Sequence, residues 1–370
     1  MMICVFFLGC SGPSKSNQNI DYSTLPELNV SLINEVKDSE KFLPGRLKDL
    51  IVTNNGSLIV SDWGNMSIAQ FNSDGSFERL IAEKGNGPGE LQTFFTIVDS
   101  KRDTILIKYT GVSRQLDVYV HDDLENSYFY DKSIISEIEN DAIVNIIDAA
   151  PGFGYFAKVQ NPITSRTEQL LNPPLFKSET VVHVDITGEI ISDTLHVLQS
   201  PNTLFIETNS GAVTPIGSPP FLSKDHLKYL GNNEYLLSKT KEGAILVLNE
   251  NHEIDSEVIL SVRERSVSKA ELDSELKQIP GQFQSKLRDR AAAIKPEFKD
   301  VWASEDYFLL HTDRKKQSKE MVILTRDGDP IGKFTLSDFD EVHEFKNQRI
   351  YAINKNPESG HSIRVYEVSI

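Results

Sequence analysis

The chain has 370 residues, 39% of them hydrophobic and 25% charged, a balance that buries a sizeable core and excludes disordered and collagen-like chains. Its 54 acidic and 38 basic residues leave a formal charge of −16, which repels a phosphate backbone and excludes nucleic acid as a general partner. Both cysteines, Cys4 and Cys10, stand near the amino end, so the body has neither a disulfide nor a cysteine-ligated metal.

In chain order, Ile3-Cys4-Val5-Phe6-Phe7-Leu8-Gly9 is a short apolar run that ends on a small residue before Cys10. It resembles a bacterial lipoprotein leader, with residues 1–9 as signal peptide and Cys10 as the lipidated residue. Phe7 stands where such leaders usually carry leucine, and no Lys or Arg precedes the run. Residues 10–26 are then expected to be the lipidated cysteine and a flexible tether, anchoring the body to a membrane without spanning it. After the leader no apolar run approaches the about 18 residues of a membrane span.

Self-similarity begins at Leu47. Leu50-Ile51-Val52-Thr53, Leu58-Ile59-Val60-Ser61, Ser67 to Phe71 and Phe77 to Ala82 read as strands, with turns at Asn54-Asn55-Gly56 and Ser73-Asp74-Gly75. Four short antiparallel strands in roughly 35 residues make one propeller blade. The order recurs over 96–131, 144–198, 226–262 and 307–336, and a last unit over 350–366 lacks a fourth strand. Leu28-Asn29-Val30-Ser31-Leu32-Ile33 alternates and has no partner in its own unit, so it is predicted to complete the last blade and close the ring. The expectation is an all-β, six-bladed β-propeller of four-stranded antiparallel blades over residues 27–370. Gly85-Asn86-Gly87-Pro88-Gly89 lacks the Lys-Ser/Thr of a phosphate loop and reads as an inter-blade linker. Within 266–295, Ser268 and Glu271 form a capping box, and Leu272, Leu276 and Ile279, then Phe283, Leu287, Ala291 and Ile294, fall at helical spacing. Two short helices, broken at Pro280-Gly281, are expected to pack on the rim.

Val60-Ser61-Asp62 to Ile68-Ala69-Gln70-Phe71, followed by the Gly85–Leu91 linker, resembles an NHL-type propeller repeat. The whole chain is similar to six-bladed, TolB-like propeller lipoproteins of Bacteroidetes-type bacteria, closely in the first blade and in strand order and turn position elsewhere. The resemblance implies a cell-envelope, outer-membrane lipoprotein, periplasmic or surface-facing, and no defined activity.

Laying the six second strands over one another aligns Asp62-Trp63, Lys108-Tyr109, Lys158-Val159-Gln160, Lys239-Thr240-Lys241, His311-Thr312-Asp313-Arg314 and Asn354-Lys355. Asp62, Trp63, Lys108, Tyr109, Lys158, Lys239, His311, Arg314 and Lys355 are therefore predicted to line one mouth of the channel, where an anionic or carbohydrate ligand would be held. Trp63 and Tyr109 add flat surfaces suited to a sugar or aromatic ring. The eight histidines, read as surface residues, show no metal-ligand spacing, and there is no Gly-x-Ser-x-Gly elbow. The favoured expectation is a monomeric binding or protein-interaction module with no catalytic residue and no cofactor, held to the membrane by its lipid, with an envelope protein or glycan as partner. Analogy with calcium-dependent lactonase propellers implies the alternative: Ca2+ in the central channel and a metal-dependent hydrolase or lyase.

Overall fold

The computed structural model describes residues 14–37, 41–100, 104–109, 115–122, 127–135, 143–150, 154–160, 171–208, 211–231, 233–277, 279–315 and 318–370; Cys10 and the leader fall outside them. Six four-stranded antiparallel sheets follow one another. Blade 1 is Leu47–Val52, Leu58–Asp62, Ser67–Phe71 and Phe77–Glu83; blade 2 is Phe95–Ser100, Thr104–Tyr109, Gln115–Asp122 and Ser127–Ile135. Blade 3 is Ile143–Ala150, Gly154–Gln160, Phe176–Asp185 and Ile190–Pro201, and blade 4 is Asp225–Gly231, Glu234–Lys239, Ala244–Leu248 and Ile254–Val262. Blade 5 is Asp300–Ala303, Tyr307–Lys315, Ser318–Thr325 and Pro330–Ser337. The first strand of each blade touches the first strands of both neighbours, and the last touches the first again. These six strands therefore surround the axis of a closed propeller.

The continuous apolar runs of the blades follow from burial on both sheet faces. In blade 1, Leu50, Val52, Leu58 and Val60 pack with Tyr351, Ile353, Ile363 and Val365 of blade 6. Ile51, Ile59 and Ile68, displaced by one residue, pack with Ile97, Ile105 and Ile107 of blade 2. Successive side chains of a strand point to opposite faces, so each blade supplies half of two cores.

Closure occurs as expected. Blade 6 runs Asp340–Lys346, Arg349–Asn356 and Gly360–Ser369, and its fourth strand is Asn29–Val36, antiparallel, with Asn29 opposite Ser369 and Val36 opposite Ile363. The two helices also form, as α1 (Lys269–Leu276), with both halves of the Ser268–Glu271 capping box present, and α2 (Gly281–Arg288). Their buried Leu276 and Leu287 pack on Leu204, which belongs to a hairpin, Leu204–Glu207 and Val213–Gly217, with no counterpart in the expected elements. The linker glycines serve geometry: Gly89 has φ +75°, and a Cβ there would lie 2.7 Å from that of Tyr130.

The stretch expected to be a flexible tether is, where described, part of the fold. Ser14–Ile20 lies parallel to Ile254–Val262 as a fifth strand of blade 4, with Ser14 opposite Ser256 and Ile20 opposite Val262. Ile20 and Tyr22 are buried in the core between blades 4 and 5 with Val258, Phe298 and Val301. The Tyr22 hydroxyl donates to the Glu297 carbonyl at 3.2 Å, and the Arg265 guanidinium lies 5.3 Å from its ring. Glu27 then bridges Lys333 on the outer strand of blade 5 before the chain enters blade 6. The Ser-Lys-Ser-Asn-Gln-Asn composition carries no apolar period. It pairs because an outer strand presents unpaired backbone donors and acceptors.

Tyr22→Ala is expected to lower stability by about 3–5 kcal/mol, the usual cost of truncating a buried aromatic. Urea unfolding measures this; a loss below about 1 kcal/mol would mean that the belt is not part of the cooperative core.

Candidate ligand site in the central channel

Antiparallel pairing puts the start of each first strand beside the end of the second. Leu47 lies opposite Asp62, Phe95 opposite Tyr109, Ile143 opposite Gln160, Asp225 opposite Lys239, Asp300 opposite His311 and Asp340 opposite Asn354. All six second-strand ends therefore share one face around the axis. That face is the channel mouth.

The predicted residues reach this face but differ in what their side chains do. Asp62 is fully buried, and its carboxylate accepts from the backbone N–H groups of Gly45, Arg46, Gly64 and Asn65, so it holds the loop around it. Trp63 donates its indole N–H to the Phe95 carbonyl at 2.5 Å, stacks on Phe94, and has Arg46 and Lys48 over its ring. Tyr109 is buried, with its hydroxyl donating to Asp117 at 2.6 Å, and burial lowers the pKa of neighbouring Lys108. Lys158 pairs with Glu179 at 2.9 Å and Lys355 with Glu341. His311 is half-buried: desolvation first, then Lys299 and Lys319, push its pKa down to about 4, so the ring is neutral near pH 7. Lys239 is half-buried at the mouth beside Asp225. The Arg314 side chain and Cys10 lie outside the described residues.

The first strands supply a cluster that the second-strand alignment missed. Lys228 donates to Asp300 at 2.7 Å and lies 3.9 Å from the centroid of the Trp302 ring, joining blades 4 and 5. His226 places Nδ1 3.4 Å from Asp300, while its Nε2 meets the Lys299 carbonyl at 2.9 Å. Burial opposes ionisation of Asp300, yet Lys228 and His226 hold its pKa well below the usual carboxylate range. Desolvation lowers His226 and His343 to about 4. Asp148, which accepts from the Tyr229 N–H at 2.9 Å, is raised by burial to about 6, and Glu344 to about 7. Contrary to the surface role read for the histidines, His226, His311 and His343 stand in the interior of the ring.

A sign of charge emerges from this pairing. Asp300, Glu341 and Glu179 are each matched by a lysine. Asp49, Asp148, Asp225 and Glu344, which have no ion pair among the described residues, are pushed toward the neutral form by burial. Lys48, Lys224 and Lys239 have no ion pair among the described residues. Lys224 is exposed to the mouth, but surrounding protein and the charges of Lys158 and Lys228 depress its pKa, as expected where cations crowd. The mouth is locally positive on an acidic protein. Phe221, whose φ of +63° is unusual for a bulky residue, has the Lys299 ammonium 5.3 Å from its ring centroid. Among the described residues, no three His, Asp or Glu side chains are gathered as metal ligands.

A carboxyl whose pKa rises on folding binds more protons folded than unfolded between its two pKa values, so stability falls as pH rises through that window. For Glu344 the window runs from the usual glutamate range to about 7. Glu344→Gln removes this loss, and relative to the unaltered protein the variant is expected to gain about 2 kcal/mol between about pH 5 and about pH 8. The lowered histidines act with the opposite sign but cancel in the comparison. Urea unfolding at both pH values decides; a difference that does not change with pH would show that Glu344 ionises normally.

No protein-family model and no curated protein matches the chain. Among solved structures, it is similar to a candidate exported protein of Bacteroides fragilis, with 13% identity, 96% of this chain and 100% of that one covered, and a TM-score of 0.52. A DUF4221-family member from Bacteroides vulgatus is 10% identical over 93% of this chain and 99% of its own, with a TM-score of 0.49. A virginiamycin B lyase from Staphylococcus aureus is 10% identical over 92% and 99%, with a TM-score of 0.43. What the chain shares with the first of these is the propeller fold.

Proposed function

We propose that this propeller is an extracytoplasmic, lipid-anchored binding module that takes an anionic ligand at the mouth of its central channel. The observation that carries the reading is the set of ammonium groups on Lys48, Lys224 and Lys239, none with an ion pair among the described residues, around a mouth whose unmatched carboxyls are pushed toward neutrality. A concave site with low-dielectric walls focuses such a field, so the acidic remainder of the surface does not cancel it. An acidic sugar or a phosphorylated compound fits this chemistry, with the exposed Phe94 beside Trp63 offering apolar surface at the rim. The extracytoplasmic address is supported by the apolar run before Cys10 and by the exported character given for the B. fragilis protein.

Two measurements test the reading. At matched ionic strength, inorganic phosphate, citrate or an oligoglucuronate is expected to raise the melting temperature by at least about 2 °C near saturation, and Lys224→Ala with Lys239→Ala to remove most of that rise. No rise with any anion, or a rise indifferent to both substitutions, sinks the mouth. In cells, Cys10→Ala is expected to shift the protein from the membrane to the soluble fraction; an unchanged distribution removes the anchor.

A further inference from the structure

We propose that His343, with Lys48 beside it, forms an inner subsite that grips one oxyanion group of the ligand, a carboxylate or a phosphate, inside the ring. The inference deepens the mouth reading and rests on it. The ladder of Asp340–Lys346 shifts register between Val342 and Glu344, so His343 stands on a bulge. In the adjoining first strand of blade 1 the register jumps from Leu47 to Leu50, leaving Lys48 and Asp49 outside the pairs. Bulges re-aim side chains, and here two of them stand on adjoining strands of neighbouring blades, near enough for the Lys48 charge to act on the His343 ring.

The Nε2 atom of His343 is buried without a hydrogen-bond partner among the described residues. An orphaned buried polar atom costs about 1–3 kcal/mol, so the site is built for something that fills it. The charges that act on the ring are Glu341, Lys355, Lys48 and Lys228. Glu341 is bound to Lys355, and Lys228 to Asp300. Lys48 remains without an ion pair among the described residues. Ammonium groups can only donate, and a neutral imidazole carrying its proton on Nε2 also donates. The group that satisfies both is an acceptor with several lone pairs and negative charge. His311, also with a buried Nε2 that lacks a partner, lines the blade 5 side of the ring.

The test is calorimetric titration of the full chain with inorganic phosphate and, separately, with glucuronate, at constant ionic strength, together with imidazole nitrogen spectra. His343→Phe and Lys48→Met are each expected to weaken binding at least about tenfold, and the His343 Nε2 resonance to shift on saturation. Lys48→Met keeps the test readable should His343→Phe fail to fold. A response to phosphate alone assigns a phosphorylated ligand, and a response to glucuronate alone assigns an acidic sugar; either supports the subsite. If both variants bind as the unaltered protein does while Lys224→Ala weakens binding, the inner subsite falls, its imidazole being satisfied by water, and the mouth stands. If neither anion binds the unaltered protein, mouth and subsite fall together.

Discussion

The backbone pairing between Asn29–Val36 and Gly360–Ser369 is the constraint on which the site depends. It joins positions from opposite ends of the chain, and closing so long a loop costs about 5 kcal/mol in chain entropy. Burial of Val36 with Ile363 and Val365, and of Val368 on Leu336 and Phe345, offsets that cost. Closure also puts the first strands of blades 1 and 6 in contact, and these strands carry Lys48 and His343. An open ring would separate these groups and expose the facing cores. The segment from Ser14 to Tyr22 reinforces a different seam, between blades 4 and 5, since Gln18 of its strand donates to Asp329 of blade 5 while its backbone pairs with blade 4.

Inside that ring, electrostatics are decided by matching rather than by total charge. Lys228 is the hub: its charge acts on Asp148, Lys224, His226, Asp300, His343 and Glu344, which come from blades 3, 4, 5 and 6 or the segment leading into blade 4. Removing a matched carboxylate such as Asp300 would leave that ammonium buried and alone, an expensive state. Asp148 and Glu344, with no cation bound to them among the described residues, take the cheaper course and move toward protonation, whereas Lys48, Lys224 and Lys239 sit where solvent still reaches them. A formal charge of −16 therefore coexists with a positive mouth.

Blade count, order and closure were legible because apolar strand runs and turn residues recur in the same order from unit to unit, and Leu28–Ile33 supplies the one strand the last unit lacks. Strand-poor segments were less so. Asp300–Ala303 is too short to show a period, and Ser14–Ile20 is polar and held by its neighbour's edge. At the site, the alignment of second-strand ends favoured residues already spent: Asp62 on four backbone amides, Tyr109 on Asp117, Lys158 on Glu179. Residue type alone cannot say which charge is matched. His226, Lys228 and His343 lie on first strands, and an alignment of second-strand ends passes over them.

A signal for them nevertheless exists in the spacing. Within a regular strand, residues three apart point to opposite faces. Yet Leu47 and Leu50 share one core, Ile147 and Ala150 share another, and Val342 and Phe345 a third. Only an extra residue between them can reconcile this, and each first strand has its register shift at that place. The residues between the apolar pair are Lys48 and Asp49, Asp148 and Ala149, and His343 and Glu344. In blades 1 and 6 the shift leaves Lys48 with Asp49, and His343, out of the ladder while the flanking apolar residues stay anchored, and in blade 3 it leaves out Ile147, next to Asp148. A spacing of three between core residues in an innermost propeller strand thus marks where a blade turns polar groups out of its cores.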